Sequence, residues 1–182
     1  MDQIWSPWRY HYVSQVPSTA NEGTENPTAA HACFFCQAAQ EPDADAQHLV
    51  VYRAEKCFAI LNRYPYSTGH VMVAPHAHVA TLEEAETATL EEMMRLAQQV
   101  EKALRATYRP EGINLGFNIG QCAGAGVAGH IHLHALPRWF GDTSFMTTVG
   151  ETRVLPEDLP ATFGKLRSAL QNAFIKNRQP QP

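Results

Sequence analysis

Residues 130–136 read His-Ile-His-Leu-His-Ala-Leu, and this strict alternation constrains the fold more than any other stretch of the chain. In an extended strand successive side chains point to opposite faces, so His130, His132 and His134 share one face and Ile131, Leu133 and Ala135 the other. A helix would scatter both sets around its axis. One face therefore requires a core, while the other carries imidazoles about 6.6–6.8 Å apart at a rise near 3.3 Å per residue. Pro137 is expected to end the strand.

Three readings of the imidazole row stay open on the residues alone. The histidines can be satisfied structural groups. They can be His-x-His metal ligands of a zinc metallohydrolase, which needs a further ligand, and the first carboxylate downstream is Asp142. The third reading, favoured here, is nucleophilic catalysis at phosphorus. An imidazole with a pKa near 6.5 is largely neutral at pH 7, and its free nitrogen attacks phosphorus when the other nitrogen is anchored. Charge growing on the non-bridging oxygens then needs donors. His130 and His134 flank the central His132, and the loop Gly120-Gln-Cys-Ala-Gly-Ala-Gly-Val-Ala-Gly129 offers close backbone approach to a phosphate.

The rest of the chain supplies the sheet and its cover. Leu49–Arg53, Cys57–Leu61, His70–Ala74 and Ile113–Ile119 read as short β-rich runs, with turn residues at Tyr64–Gly69. Thr81 and Glu84 form a capping-box pattern ahead of Leu90, Met93, Met94, Ala97, Val100, Ala103 and Leu104, which recur at helical spacing until Pro110-Glu-Gly112. A last amphipathic helix is expected at about 157–175, carrying Leu159, Phe163, Leu166, Leu170, Phe174 and Ile175. Residues 1–31 read as an aromatic arm (Trp5, Trp8, Tyr10, Tyr12) and a polar linker, and residues 37–47 as a second polar loop. The organisation is one α+β domain at 32–150, with a C-terminal helix and tail at 151–182. Its sheet is antiparallel, of about five strands, with two main helices on one side.

Composition narrows the partners. The formal net charge is −4 and no Lys/Arg-rich run occurs, so long nucleic acid is not an expected partner. No stretch approaches the ~20 apolar residues that span a bilayer, and the N-terminus lacks a secretory pattern. A cytoplasmic location is therefore expected. Of four cysteines, Cys33 and Cys36 stand at C-x-x-C spacing, half of a tetrahedral zinc site or a redox pair. Cys57 and Cys122 read as lone small residues.

His130–Leu136 resembles the signature of the histidine triad (HIT) family, His-φ-His-φ-His-φ-φ with φ apolar, and the trailing Pro137-Arg138-Trp139 is also similar to that family. Upstream, Phe58-Ala-Ile-Leu-Asn-Arg-Tyr-Pro-Tyr-Ser-Thr-Gly-His-Val-Met-Val-Ala-Pro75 is similar to the nucleoside-binding strands of the diadenosine polyphosphate hydrolase branch. Trp5-Ser-Pro-Trp-Arg9 resembles the bacterial diadenosine tetraphosphate phosphorylase branch. The resemblance covers about residues 32–150. It implies that His132 forms a nucleotidyl-histidine intermediate on the α-phosphorus of a nucleoside 5′-phosphoryl substrate. It further implies that His134, His70 and Asn118 meet phosphate oxygens, that Asn62 meets the ribose, and that Phe58, Ile60 and Trp139 lie near the base or substrate. Water or phosphate is the acceptor, and a homodimer is implied; a nucleotide-binding protein with little turnover is the remaining alternative.

One departure concerns the leaving group. Family members often carry Gln and then Ser or Thr at the positions held here by Gly126 and Val127, so backbone N–H groups serve there or the leaving group differs. In members with the C-x-x-C pair, two histidines complete a structural zinc site. The matching residues are His78 and His130, with His76 and His31 as rivals.

Overall fold

A computed structural model of the chain describes residues 33–150 and 154–177. In chain order, α1 (Phe34–Gln40) is followed by a 3-10 turn (Pro42–Ala44) and α2 (Asp45–His48). Then come β1 (Val50–Arg53), β2 (Cys57–Leu61), β3 (Val71–Pro75) and the long α3 (Thr87–Tyr108). The chain closes with β4 (Gly112–Phe117), β5 (Leu133–Arg138), α4 (Phe145–Thr148) and α5 (Leu159–Asn177). The strands form one antiparallel sheet in the order β1-β2-β3-β5-β4. This is the expected α+β architecture.

The two-residue period sorts the strands onto two cores. Cys57, Ala59, Leu61, Val71, Val73, Leu133 and Ala135 point at α3 and α5, where they meet Met93, Leu96, Val100, Leu104, Leu166 and Leu170. Phe58, Ile60, Met72 and Ala74 point the other way, against Cys33, Phe35, Cys36 and Ala38 of the α1 region. Helix therefore covers both faces, not one. The segment 37–47, expected as loop, is largely helical; its small residues fit under β2, where Ala38 is fully buried. Tertiary burial outweighs local polarity here.

Three boundaries differ from the sequence reading. α3 begins at Thr87, with Glu86 and not Thr81 as its cap residue. The capping box is not made: Glu84 accepts from the backbone N–H of Ala80 at 2.8 Å, and the Thr81 hydroxyl is buried without a hydrogen bond. β5 starts only at Leu133, because its ladders to β3 and β4 both end there; Ile131 donates instead to Val79 O at 2.7 Å. At the other end β5 runs through Pro137 to Arg138. The β3 ladder stops at Ala135, so Pro137 sits where β5 pairs with β4 alone and a missing N–H is tolerated. The aromatic arm and His31 lie outside the described residues. Among the described residues, no helix is long and apolar enough to cross a membrane.

Candidate active site and metal centre

The histidine row keeps its alternation although two of its members precede the strand. His130, His132 and His134 are all buried, as is His70 from the turn before β3. Each ring is held by a different acceptor or donor, and together these contacts assign the tautomers.

His132 Nδ1 lies 2.8 Å from the carbonyl oxygen of His130. A carbonyl only accepts, so Nδ1 carries the proton and Nε2 carries the lone pair. Burial depresses the His132 pKa, opposed by that backbone hydrogen bond, and the ring stays neutral at pH 7. Nε2 is therefore the His132 atom whose lone pair is available to a partner. The residue is only 4% exposed, more enclosed than an open attack site would need. Phe35, with ring centroids 4.8 Å apart, and the edge of His134, also 4.8 Å, account for the enclosure.

A second chain of contacts fixes His134. The backbone N–H of Tyr66 donates to His70 Nδ1 at 3.2 Å, so His70 is protonated on Nε2. That nitrogen lies 2.8 Å from His134 Nδ1, which must accept. His134 consequently carries its proton on Nε2 and points a donor, not a charge, at its surroundings. Burial and the neighbouring His132 hold its pKa down to about 4.

His130 serves a third role. Its Nε2–H donates to Pro75 O at 3.0 Å, leaving the Nδ1 lone pair 3.5 Å from both Cys33 Sγ and Cys36 Sγ. His78 Nδ1 is 3.1 Å from Cys36 Sγ. The ligand atoms of Cys33, Cys36, His78 and His130 all lie within 4.8 Å of one another. A tetrahedral shell on ~2.0–2.3 Å bonds has edges of roughly 3.3–3.8 Å, so modest side-chain shifts close this one. Two sulfurs and two imidazole nitrogens are a donor set that suits a borderline-soft dication. Burial and the adjacent Cys33 push the Cys36 thiol up to about 11, a balance that a bound cation reverses by favouring thiolate. His76 is excluded from this shell: its Nε2 faces Ala54 O at 3.2 Å and its ring stacks on Phe58.

The remaining predicted positions divide. Asn62 uses its Oδ1 to accept from Tyr64 N–H at 2.9 Å, closing the turn, which leaves the amide nitrogen for other partners. Asn118 is half-buried, with Nδ2 beside Gly124 of the glycine loop. Gly126 is exposed, whereas Val127 packs on the Phe58 side core. Phe58 and Ile60 are core residues, 0% and 2% exposed. Trp139 stands apart from them, in the wall of a cavity of about 790 Å³ beyond the end of β5.

Sequence reasoning missed Phe35, Tyr66 and the carbonyl of Pro75. Phe35 packs on both His130 and His132, at 5.0 and 4.8 Å. Its place between two ligand cysteines was the available signal. The backbone groups of Tyr66 and Pro75 carry none, since any residue supplies them.

The chain belongs to the HIT domain family, whose model matches residues 43–141. Over 162 residues it is 35% identical to the AP-4-A phosphorylase of Mycobacterium tuberculosis, covering 89% of this chain and 80% of that protein. A crystal structure of a Zn-bound histidine triad family protein from Mycobacterium smegmatis is 30% identical, with a TM-score of 0.65 over 81% of this chain and 99% of its own. A hypothetical histidine triad nucleotide-binding protein from Sulfolobus tokodaii, also 30% identical, has a TM-score of 0.62 over 77% and 93%.

Proposed function

We propose that the chain is a nucleotidyl hydrolase or transferase that cleaves dinucleoside polyphosphates, diadenosine tetraphosphate first among them, through a nucleotidyl group carried on His132. The observation that carries this reading is the Nδ1–H of His132 bonded to His130 O, which leaves Nε2 as the attacking atom. Nε2 forms a bond to the α-phosphorus as the bond to the bridging oxygen breaks, and the polyphosphate leaves. The Nε2–H of His134 donates to a non-bridging oxygen, and the amides of Asn118 and Asn62 meet phosphate and ribose. Phosphate or water then attacks the same phosphorus and restores the imidazole. Two low barriers replace one high one.

The 35% identity to the mycobacterial AP-4-A phosphorylase supports this substrate class. The metallohydrolase reading loses ground because only His130 of the row belongs to the metal cluster. Zinc is the ion we assign to Cys33, Cys36, His78 and His130, on the donor set and on the zinc-bound relative. It would hold α1 and the start of the histidine row together, away from the chemistry. A homodimer is supported by the edge of β4, which pairs with no further strand among the described residues and leaves Leu115 exposed; the apolar face of α3, by contrast, is used in the chain's own core. We keep a cytoplasmic location as part of the proposal.

The test is product analysis with diadenosine tetraphosphate, with and without inorganic phosphate. ADP appearing with ATP only when phosphate is present means phosphorolysis, and AMP with ATP means hydrolysis. No product from either mixture contradicts the reading and favours a binding protein.

A further inference from the structure

The cavity beyond β5 lies outside the histidine cluster, at the end of the sheet where β5 has passed the last residue of its β3 ladder, and it reaches round to Tyr108 of α3 and Lys165 of α5. Leu136 and Arg138 line it, and by strand alternation they continue the row of His132 and His134. Tyr66 joins the two regions. It lines the cavity, and its ring lies against His134 at 6.0 Å and 22°. Four residues of strand separate His132 from Leu136, on the order of 13 Å, a span that a polyphosphate bridge covers.

The walls are suited to a nucleoside rather than to phosphate. Among the described residues, both basic groups facing the cavity are paired within the chain: Arg138 with Asp142, and Lys165 with Glu157. Tyr66, Tyr108 and Trp139 supply aromatic surface. Ser67 and Thr68 also line it, and both hydroxyls are buried without a hydrogen-bond partner. Such orphaned hydroxyls are costly unless something else satisfies them. A volume of about 790 Å³ is ample for a purine nucleoside.

We propose that this cavity, walled by Tyr66, Tyr108 and Trp139 and edged by the Ser67 and Thr68 hydroxyls, receives the nucleoside of the departing half of a dinucleoside polyphosphate. The inference rests on His132 taking the other half. The base lies against the aromatic walls, and its ring nitrogens or the ribose hydroxyls pair with Ser67 and Thr68. Discrimination between dinucleotides and mononucleotides then arises here.

The test is calorimetric binding of a methylene-bridged, uncleavable diadenosine tetraphosphate and of AMP to the full chain. The parent should bind the dinucleotide at least about tenfold more tightly than AMP, a difference of the size that one extra buried, hydrogen-bonded moiety supplies. In Ser67→Ala/Thr68→Val, and separately in the cavity-filling Thr147→Trp, that advantage should fall about tenfold. An advantage that is absent in the parent, or that survives both variants within about twofold, overturns the proposal. Turnover of diadenosine tetraphosphate is measured on the same preparations. Absent turnover with the binding contrast intact contradicts the catalytic reading and leaves the subsite standing.

Discussion

His70 Nε2 stands 2.8 Å from His134 Nδ1, so a turn residue before β3 sets the tautomer of a strand residue 64 positions later. The relay begins at the Tyr66 amide and ends with a donor on His134 Nε2. Without it His134 could equally present a lone pair, which would repel a phosphate oxygen. His70→Ala is therefore expected to lower kcat by about tenfold to a hundredfold, the cost of one misplaced hydrogen bond to a charged group. Nitrogen-15 shifts of the His134 ring should show protonation at Nε2 in the parent and a mixture in the variant.

Gly69, next to His70, has a φ of +79°, and a Cβ there would lie 2.9 Å from the Tyr108 ring. Both the left-handed backbone and the close ring require glycine. Gly69→Ala should cost about 1–3 kcal/mol in urea unfolding. It should also reduce activity beyond that loss, because His70 moves with the turn.

The docking of α5 carries a pH dependence. Burial raises the Glu157 pKa, but hydrogen bonds from Lys165, Tyr108 and Thr162 outweigh it and hold the carboxyl below its ordinary 4.5. A pKa depressed on folding adds stability above 4.5 that is lost as the pH falls through the lower, folded value. Glu157→Gln should flatten that acid limb of the unfolding profile. An unchanged limb would contradict the assignment.

Metal analysis of the purified chain should find one zinc per polypeptide, absent in Cys36→Ser. Chelation should lower the unfolding midpoint on the order of 5–10 °C, because the ion ties α1 to the row. In chelated protein α1 is no longer tied down, so Cys33 and Cys36 should alkylate more slowly than the exposed Cys122 but faster than in the loaded protein, while Cys57, held under α3, should stay protected in both.

The alternating histidines and the helical spacing around Met93 each obey a periodicity that the backbone must honour, so sheet and long helix were legible in the sequence; the cysteine spacing gave half of the metal cluster, and only the family resemblance pointed to His78 and His130 as the other half. What escaped it was set by distant partners. Residues 37–47 fold as helix because β2 and β3 give Ala38 and Phe35 a surface to bury against. Leu133 begins β5 because β3 and β4 run out at that register. The enclosure of His132 depends on Phe35, and the cavity past Trp139 on α5, two elements far away along the chain.

The bond proposed between His132 Nε2 and phosphorus can be trapped. Mixing the chain with diadenosine tetraphosphate in the absence of phosphate, quenching in denaturant at alkaline pH and digesting for mass spectrometry tests it directly. One added adenylyl group is expected on the peptide carrying His132, discharged on adding phosphate or on waiting for hydrolysis, and none on His132→Gly. Adenylylation of His132→Gly at another residue, or full turnover by that variant, would contradict it.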